Sequence, residues 1–206
     1  MKNNQSGRSM VEMLGVLAII GVLSAGGLAG YSKAMFKHKL NNTMDQITML
    51  VTNIRTMYGT QGDYVGLNSR KAVKLGIVPA VMVGAGEDAT PASGDDPNDE
   101  DYVAAKPDSQ TLTNPFQGGV AISAENLNGV TSGGFYVTYD SLPKEACIAL
   151  ATADFGGGAG SGFIGTQIGS AYSGEYGEAT EGHAFDMSGA LTNCTSDSMT
   201  ITWHFY

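Results

Sequence analysis

The sequence predicts an α+β chain: a long N-terminal α-helix whose apolar half protrudes and whose amphipathic half packs on an antiparallel β-sheet. Three observations predict it. Met13 to Tyr31 is a run of nineteen residues without a charge. From Phe36 to Tyr58 apolar residues recur at helical spacing. From Met199 to Tyr206 apolar and polar residues alternate, as along a half-buried strand.

The uncharged run makes a helix roughly 28 Å long, enough to cross the hydrocarbon core of a bilayer. A polar leader precedes it and ends in Gly7. Glu12 follows five residues later, at the edge of the apolar run. A carboxylate in that position is costly and points to a function. Two simpler readings compete. A secretory signal peptide would use Lys2 and Arg8 as its charged region and Ser24-Ala25-Gly26 as its cleavage site. That reading gives Glu12 no reason and leaves the helix beyond Ala25 unexplained. The other is a plain single-span anchor.

In the second half of the helix, Phe36, Leu40, Met44, Ile47, Val51, Ile54 and Tyr58 are spaced to share one face. No proline occurs before Pro79, so one helix can run from Ser9 to Tyr58, roughly 75 Å. The first half is apolar all round and suits lipid or other copies of itself. The second half suits a globular domain. Gly15, Gly21, Gly26, Gly27 and Gly30 interrupt the apolar half, each at a cost of about 1 kcal/mol against Ala. Gly26 and Gly30 have the spacing that lets helices approach closely. The same glycines make local unwinding cheap, and membrane helices carry extra glycine in any case.

Gly59 and Gly62 end the helix. The stretch to about residue 118 reads as loop, with a short helix near Ser69–Leu75. Residues 84–101 carry seven acids and little apolar content, a solvated surface excursion. Asp95, Asp96, Asp99, Glu100 and Asp101 offer oxygens for Ca²⁺, but their spacing fits no EF-hand. The C-terminal third reads as an antiparallel sheet with one helix. Phe135–Tyr139 and Phe163–Ile168 are strands. Ser141 and Pro143 open a helix carrying Cys147. Residues 156–162 are a glycine-rich connector. The strand from Met199 puts Ile201, Trp203 and Phe205 inward and Thr202 and His204 outward.

Charge is unevenly divided. Residues 1–74 have a balance of +6 and residues 75–206 a balance of −15. So acidic a head repels phosphates, which excludes nucleic acid as a partner. It could meet the basic helix of a neighbouring copy. The two cysteines, Cys147 and Cys194, both lie in this head. In an exported domain such a pair forms a disulfide, worth about 4 kcal/mol on the chain-entropy model; in a cytosolic one it would be two buried thiols.

Catalytic signatures are missing. His38, His183 and His204 share no metal-ligand spacing with a cysteine. There is no nucleophile elbow and no P-loop. Gly84-Ala-Gly86-Glu-Asp-Ala89 matches a dinucleotide fingerprint formally, but it runs into the acidic loop instead of a helix. We expect no catalytic residues, no cofactor and no metal.

The stretches GRSMVEMLGVLAIIGVLSAGG, GYSKAMFKHKL and ITMLVTNIRTMYGTQGDY resemble type IV pilins, in the type IVb group of PilS-like and bundle-forming pilins. The resemblance covers residues 7 to about 83; beyond that only the layout is similar. It implies a pilin fold with a C-terminal disulfide region joining Cys147 to Cys194. It implies a leader over residues 1–7, a membrane and polymerisation helix over 8–32 and an amphipathic half over 33–58. A loop region (59–118) and a sheet-and-disulfide region (119–206) follow. A prepilin peptidase would cut between Gly7 and Arg8, leaving Arg8 as the methylated N-terminus. Glu12 would neutralise the terminal amine of the adjacent subunit. The precursor would sit in the inner membrane, meet an assembly platform there, and join a helical homo-oligomer outside the cell. A positive-inside count over Lys33, Lys37 and Lys39 places the far side in the cytoplasm; the resemblance implies the opposite. Two departures stand out: the leader is short, and Arg8 replaces the usual apolar residue after the cut.

The function implied is a structural pilus subunit serving adhesion, aggregation, motility or conjugative contact. The alternatives are a type II secretion pseudopilin and a minor tip pilin acting as adhesin. Filament length on cells and subunit stoichiometry at the tip separate them.

Overall fold

The structure is a computed structural model that describes residues 10–83, 112–155, 162–173 and 183–206. The chain divides into two units, Met1–Lys39 and Leu40–Tyr206. One helix, α1 (Met10–Tyr58), contributes to both. The acidic excursion and most of the glycine-rich connector lie outside the described residues.

In the first unit every described residue is helical, and nearly all are exposed. In the second unit, α1 buries Thr43, Ile47, Leu50, Val51, Ile54 and Tyr58. The expected stripe is right in its centre and wrong at its edges. Leu50 and Thr43 join it, while Phe36, Leu40 and Met44 are only half-buried.

The helix α2 (Ser69–Lys74) is capped by Asn68, whose side-chain oxygen accepts from the Lys71 N–H at 2.8 Å. A 3-10 turn at Ala80–Met82 follows. This region is tied down from both sides. Asn53 on α1 donates to the Ile77 carbonyl at 2.7 Å. Asn114 donates to the Asp140 carbonyl at 2.9 Å and accepts from the Phe116 and Gly118 N–H groups.

Among the described residues the sheet has five strands: β1 (Val120–Leu127), β2 (Val130–Leu142), β3 (Phe163–Ile168), β4 (Ala171–Tyr172) and β5 (Met199–Phe205). Their spatial order is β1-β2-β5-β3-β4, and every pairing is antiparallel. The hairpin β1–β2 turns at Asn128-Gly129, both with positive φ, the Asn-Gly signature of a tight two-residue hairpin. Two short helices accompany the sheet, α3 (Lys144–Ala151) and α4 (Met187–Asn193), where one was expected. Asp186 caps α4 by accepting from the Gly189 N–H at 2.7 Å. Pro143 occupies the cap of α3 and not a position inside it.

One sheet face forms the core. Phe135, Val137 and Tyr139 of β2 stand opposite Phe205, Trp203 and Ile201 of β5, and all six are fully buried. A ladder of rings, Tyr58–Tyr64–Phe135–Phe205, joins the end of α1 to this face at centroid spacings of 5.8, 4.7 and 5.2 Å. Phe155, just past α3, packs edge-on against Trp203 at 5.5 Å. The opposite face is polar: the Thr138 and Thr202 hydroxyls bond across strands at 2.8 Å. His204 lies on that face as its alternation predicts, yet it is buried, with Nδ1 2.9 Å from Glu125 and Nε2 3.3 Å from Gln167.

Candidate functional site

Glu12 lies in the first turn of α1, where the helix dipole favours a carboxylate. Around it Met10, Val11, Leu14, Leu17, Val22 and Leu23 are each more than 60 % exposed. No residue of the most apolar eighteen-residue window is buried. A continuous exposed apolar surface of this kind marks an interaction or membrane segment. The five glycines of this segment have nothing within 4 Å of where a Cβ would stand. No neighbour within the chain requires them. Gly7 and Arg8, the expected cleavage pair, lie outside the described residues.

Cys147 and Cys194 are joined by a disulfide with Cα atoms 5.9 Å apart. It ties α3 to the residue that closes α4, and both cysteines are fully buried.

At the end of α1, Arg55 lies 5.6 Å from the centre of the Phe205 ring and points Nη2 at the Tyr206 carbonyl, 3.5 Å away. Burial pushes the guanidinium below its ordinary range, while Tyr64 and Tyr206 act in the opposite direction. Burial also pushes the Tyr64 hydroxyl up. Gly162, at φ +70°, passes directly beneath Arg55, and a side chain there would strike the guanidinium. This cluster holds β5 to the helix; it offers no reactive group.

The sequence reading missed a groove of about 420 Å³ on the second unit. Asn42, Asp45, Gln46 and Met49 line it from α1, at positions that share one helix face. Pro79, Val81 and Pro115 form the other wall. Gln46 Oε1 is buried and has no hydrogen-bond partner. The available signal was a second, mixed polar and apolar face on α1, turned away from the core stripe. A further groove of about 510 Å³ runs beside Arg55, Asp154 and Phe155. Among the described residues no group of three or more His, Cys, Asp or Glu side chains could hold a metal ion.

Comparison with known proteins adds the family context. The profile of a family described as Bundlin matches residues 33–206. The major structural subunit of the bundle-forming pilus of Escherichia coli O127:H6 (strain E2348/69 / EPEC) is 28 % identical over 155 residues. The match covers 75 % of this chain and 68 % of that protein. The protein of the same description from Escherichia coli O111:H- matches equally. Among solved structures, TcpA, a type IV pilin from Vibrio cholerae El Tor biotype, is similar with a TM-score of 0.51 and 13 % identity. That likeness covers 82 % of this chain and 99 % of TcpA, and it establishes the fold. A type IVb pilin from Salmonella typhi has a TM-score of 0.49 and 20 % identity, over 80 % of this chain and 97 % of that one.

Proposed function

The chain belongs to the Bundlin family, and from that premise we propose that it is made as a prepilin, cut between Gly7 and Arg8, and polymerised through its N-terminal helix into an extracellular filament. It is a type IV pilus subunit of the bundle-forming kind. The observation that carries the assembly route is the exposed apolar surface of Met10 to Leu28. In the precursor a bilayer covers it; in the filament other copies of the same helix do.

Glu12 sets the register. A carboxylate taken into an apolar core costs several kcal/mol, and a well-placed positive partner recovers much of that. After cleavage that partner is the terminal amine of Arg8 in a neighbouring subunit. A subunit out of register leaves both charges unpaired. The guanidinium of Arg8 adds a second positive charge beside the amine.

The partners follow from this route: a prepilin peptidase, an inner-membrane assembly platform, the membrane itself, and further copies of the chain. The role is structural and not catalytic. The filament would serve adhesion, aggregation, motility or conjugative contact. The relatives are described as major structural subunits, which favours a main filament subunit over a secretion pseudopilin or a tip adhesin.

Intact mass tests the route. Protein from membrane and sheared-surface fractions, from cells with their own prepilin peptidase, should lack residues 1–7 and the two hydrogens of the closed disulfide. A full-length mass at the surface, or a cut near Ala25, overturns it.

A further inference from the structure

The groove on α1 and the first residue of α3 carry opposite charges, at Asp45 and Lys144. The groove has apolar walls at Met49, Pro79, Val81 and Pro115 and a carboxylate at Asp45, with Gln46 beside it. Such a site suits a side chain with an apolar stem and a positively charged donor at its tip, which describes lysine.

Lys144 is that kind of group. It is exposed, and its side chain has no hydrogen bond or ion pair among the described residues. Residues 107–206 contain ten acids and no other lysine or arginine. It also opens the eight-residue helix α3, where the helix dipole disfavours a cation. Local stability therefore does not explain it.

We propose that Lys144 of one subunit enters the Asp45–Gln46 groove of the next subunit in the filament. The inference rests on the pilus-subunit reading and names one of its head-to-head contacts. Groove and lysine are different surfaces, so the contact is heterologous and propagates along a filament instead of closing a dimer. Lys37, on the same helix as the groove, is one competing cation.

Charge exchange in the full-length chain tests this, in cells that assemble the wild-type filament. Asp45→Lys alone and Lys144→Asp alone should each lower the yield of sheared filaments about tenfold, because each places like charges together. The double variant should recover most of that yield. Subunit level and an intact Cys147–Cys194 bond in the membrane fraction show that the variants fold. If a reversal lowers subunit level, Asp45→Asn and Lys144→Met replace it at matched levels; the double neutral variant should then lose no more than either single. Singles that assemble like wild type overturn the proposal. So does a double no better than the worse single, or rescue of Asp45→Lys by Lys37→Asp and not by Lys144→Asp. A wild-type chain that forms no filament sinks the pilus reading itself, which is a separate failure.

Discussion

His204 and Glu125 bond across a strand that lies between them. Nδ1 of His204 on β5 is 2.9 Å from Oε2 of Glu125 on β1, although β2 separates the two strands. Glu125 stands opposite Gly134 of β2, which has no side chain to block the crossing. The pair is nearly enclosed, with side chains 5 % and 12 % exposed. His204→Ala would leave that carboxylate without this partner. We expect a loss of about 1–3 kcal/mol, read by urea denaturation of the full chain in detergent. A loss within error would mean that Glu125 simply turns to solvent.

Gly134 has its own test. A Cβ there would lie 2.7 Å from the Phe205 carbonyl oxygen, a backbone atom with little freedom to yield. Gly134→Ala should therefore destabilise the head by about 1–3 kcal/mol through overpacking. Thermal melts of the variant and the wild type decide it.

Tyr139 predicts an unusual gain. Its hydroxyl is buried beside Trp203 without a hydrogen-bond partner, and burial pushes its ionisation well above the ordinary range. Removing the oxygen removes an unpaired polar group, so Tyr139→Phe should be neutral or stabilising by about 1 kcal/mol. The sign with pH follows. The folded chain holds this proton more tightly than the unfolded chain, so stability is full below the unfolded value of about 10 and falls as pH rises beyond it. Tyr139→Phe should shift alkaline unfolding to higher pH, as monitored by circular dichroism.

The disulfide predicts a protected bond. Both cysteines are fully buried, so mild reductant should leave the bond intact until the head unfolds. Replacing both cysteines with Ala should cost about 2–4 kcal/mol. Thiol alkylation followed by mass measurement separates the folded and unfolded cases.

Glu12→Ala should leave membrane insertion and leader cleavage unchanged and sharply lower filament yield. Normal yield would remove the register role of Glu12.

Much of this fold is legible in the residues. The 3.6-residue period names α1, and the two-residue period of Met199–Phe205 names β5 and its inward Trp203. The misses have identifiable causes. The hairpin β1–β2 was announced by Asn128-Gly129, a turn signal that the reading passed over. Leu50 lies one residue off the chosen stripe, because the core contact is wider than a single line of positions. The alternation put His204 on the polar face, but not its burial, which comes from Glu125 and Gln167 on other strands. No local pattern reports such contacts. The groove is also a tertiary product, since Pro79, Val81 and Pro115 meet α1 only in the folded unit.

The strand order carries a last consequence. The last of the described strands, β5, sits in the middle of the sheet, between β2 and β3. Until residues 199–205 arrive, the hairpin β1–β2 and the pair β3–β4 share no partner, and Phe135 and Val137 lack the residues they face. Closure depends on contacts between parts of the chain far apart in sequence, which form slowly. The five-stranded sheet therefore cannot close before residues 199–205 have been made.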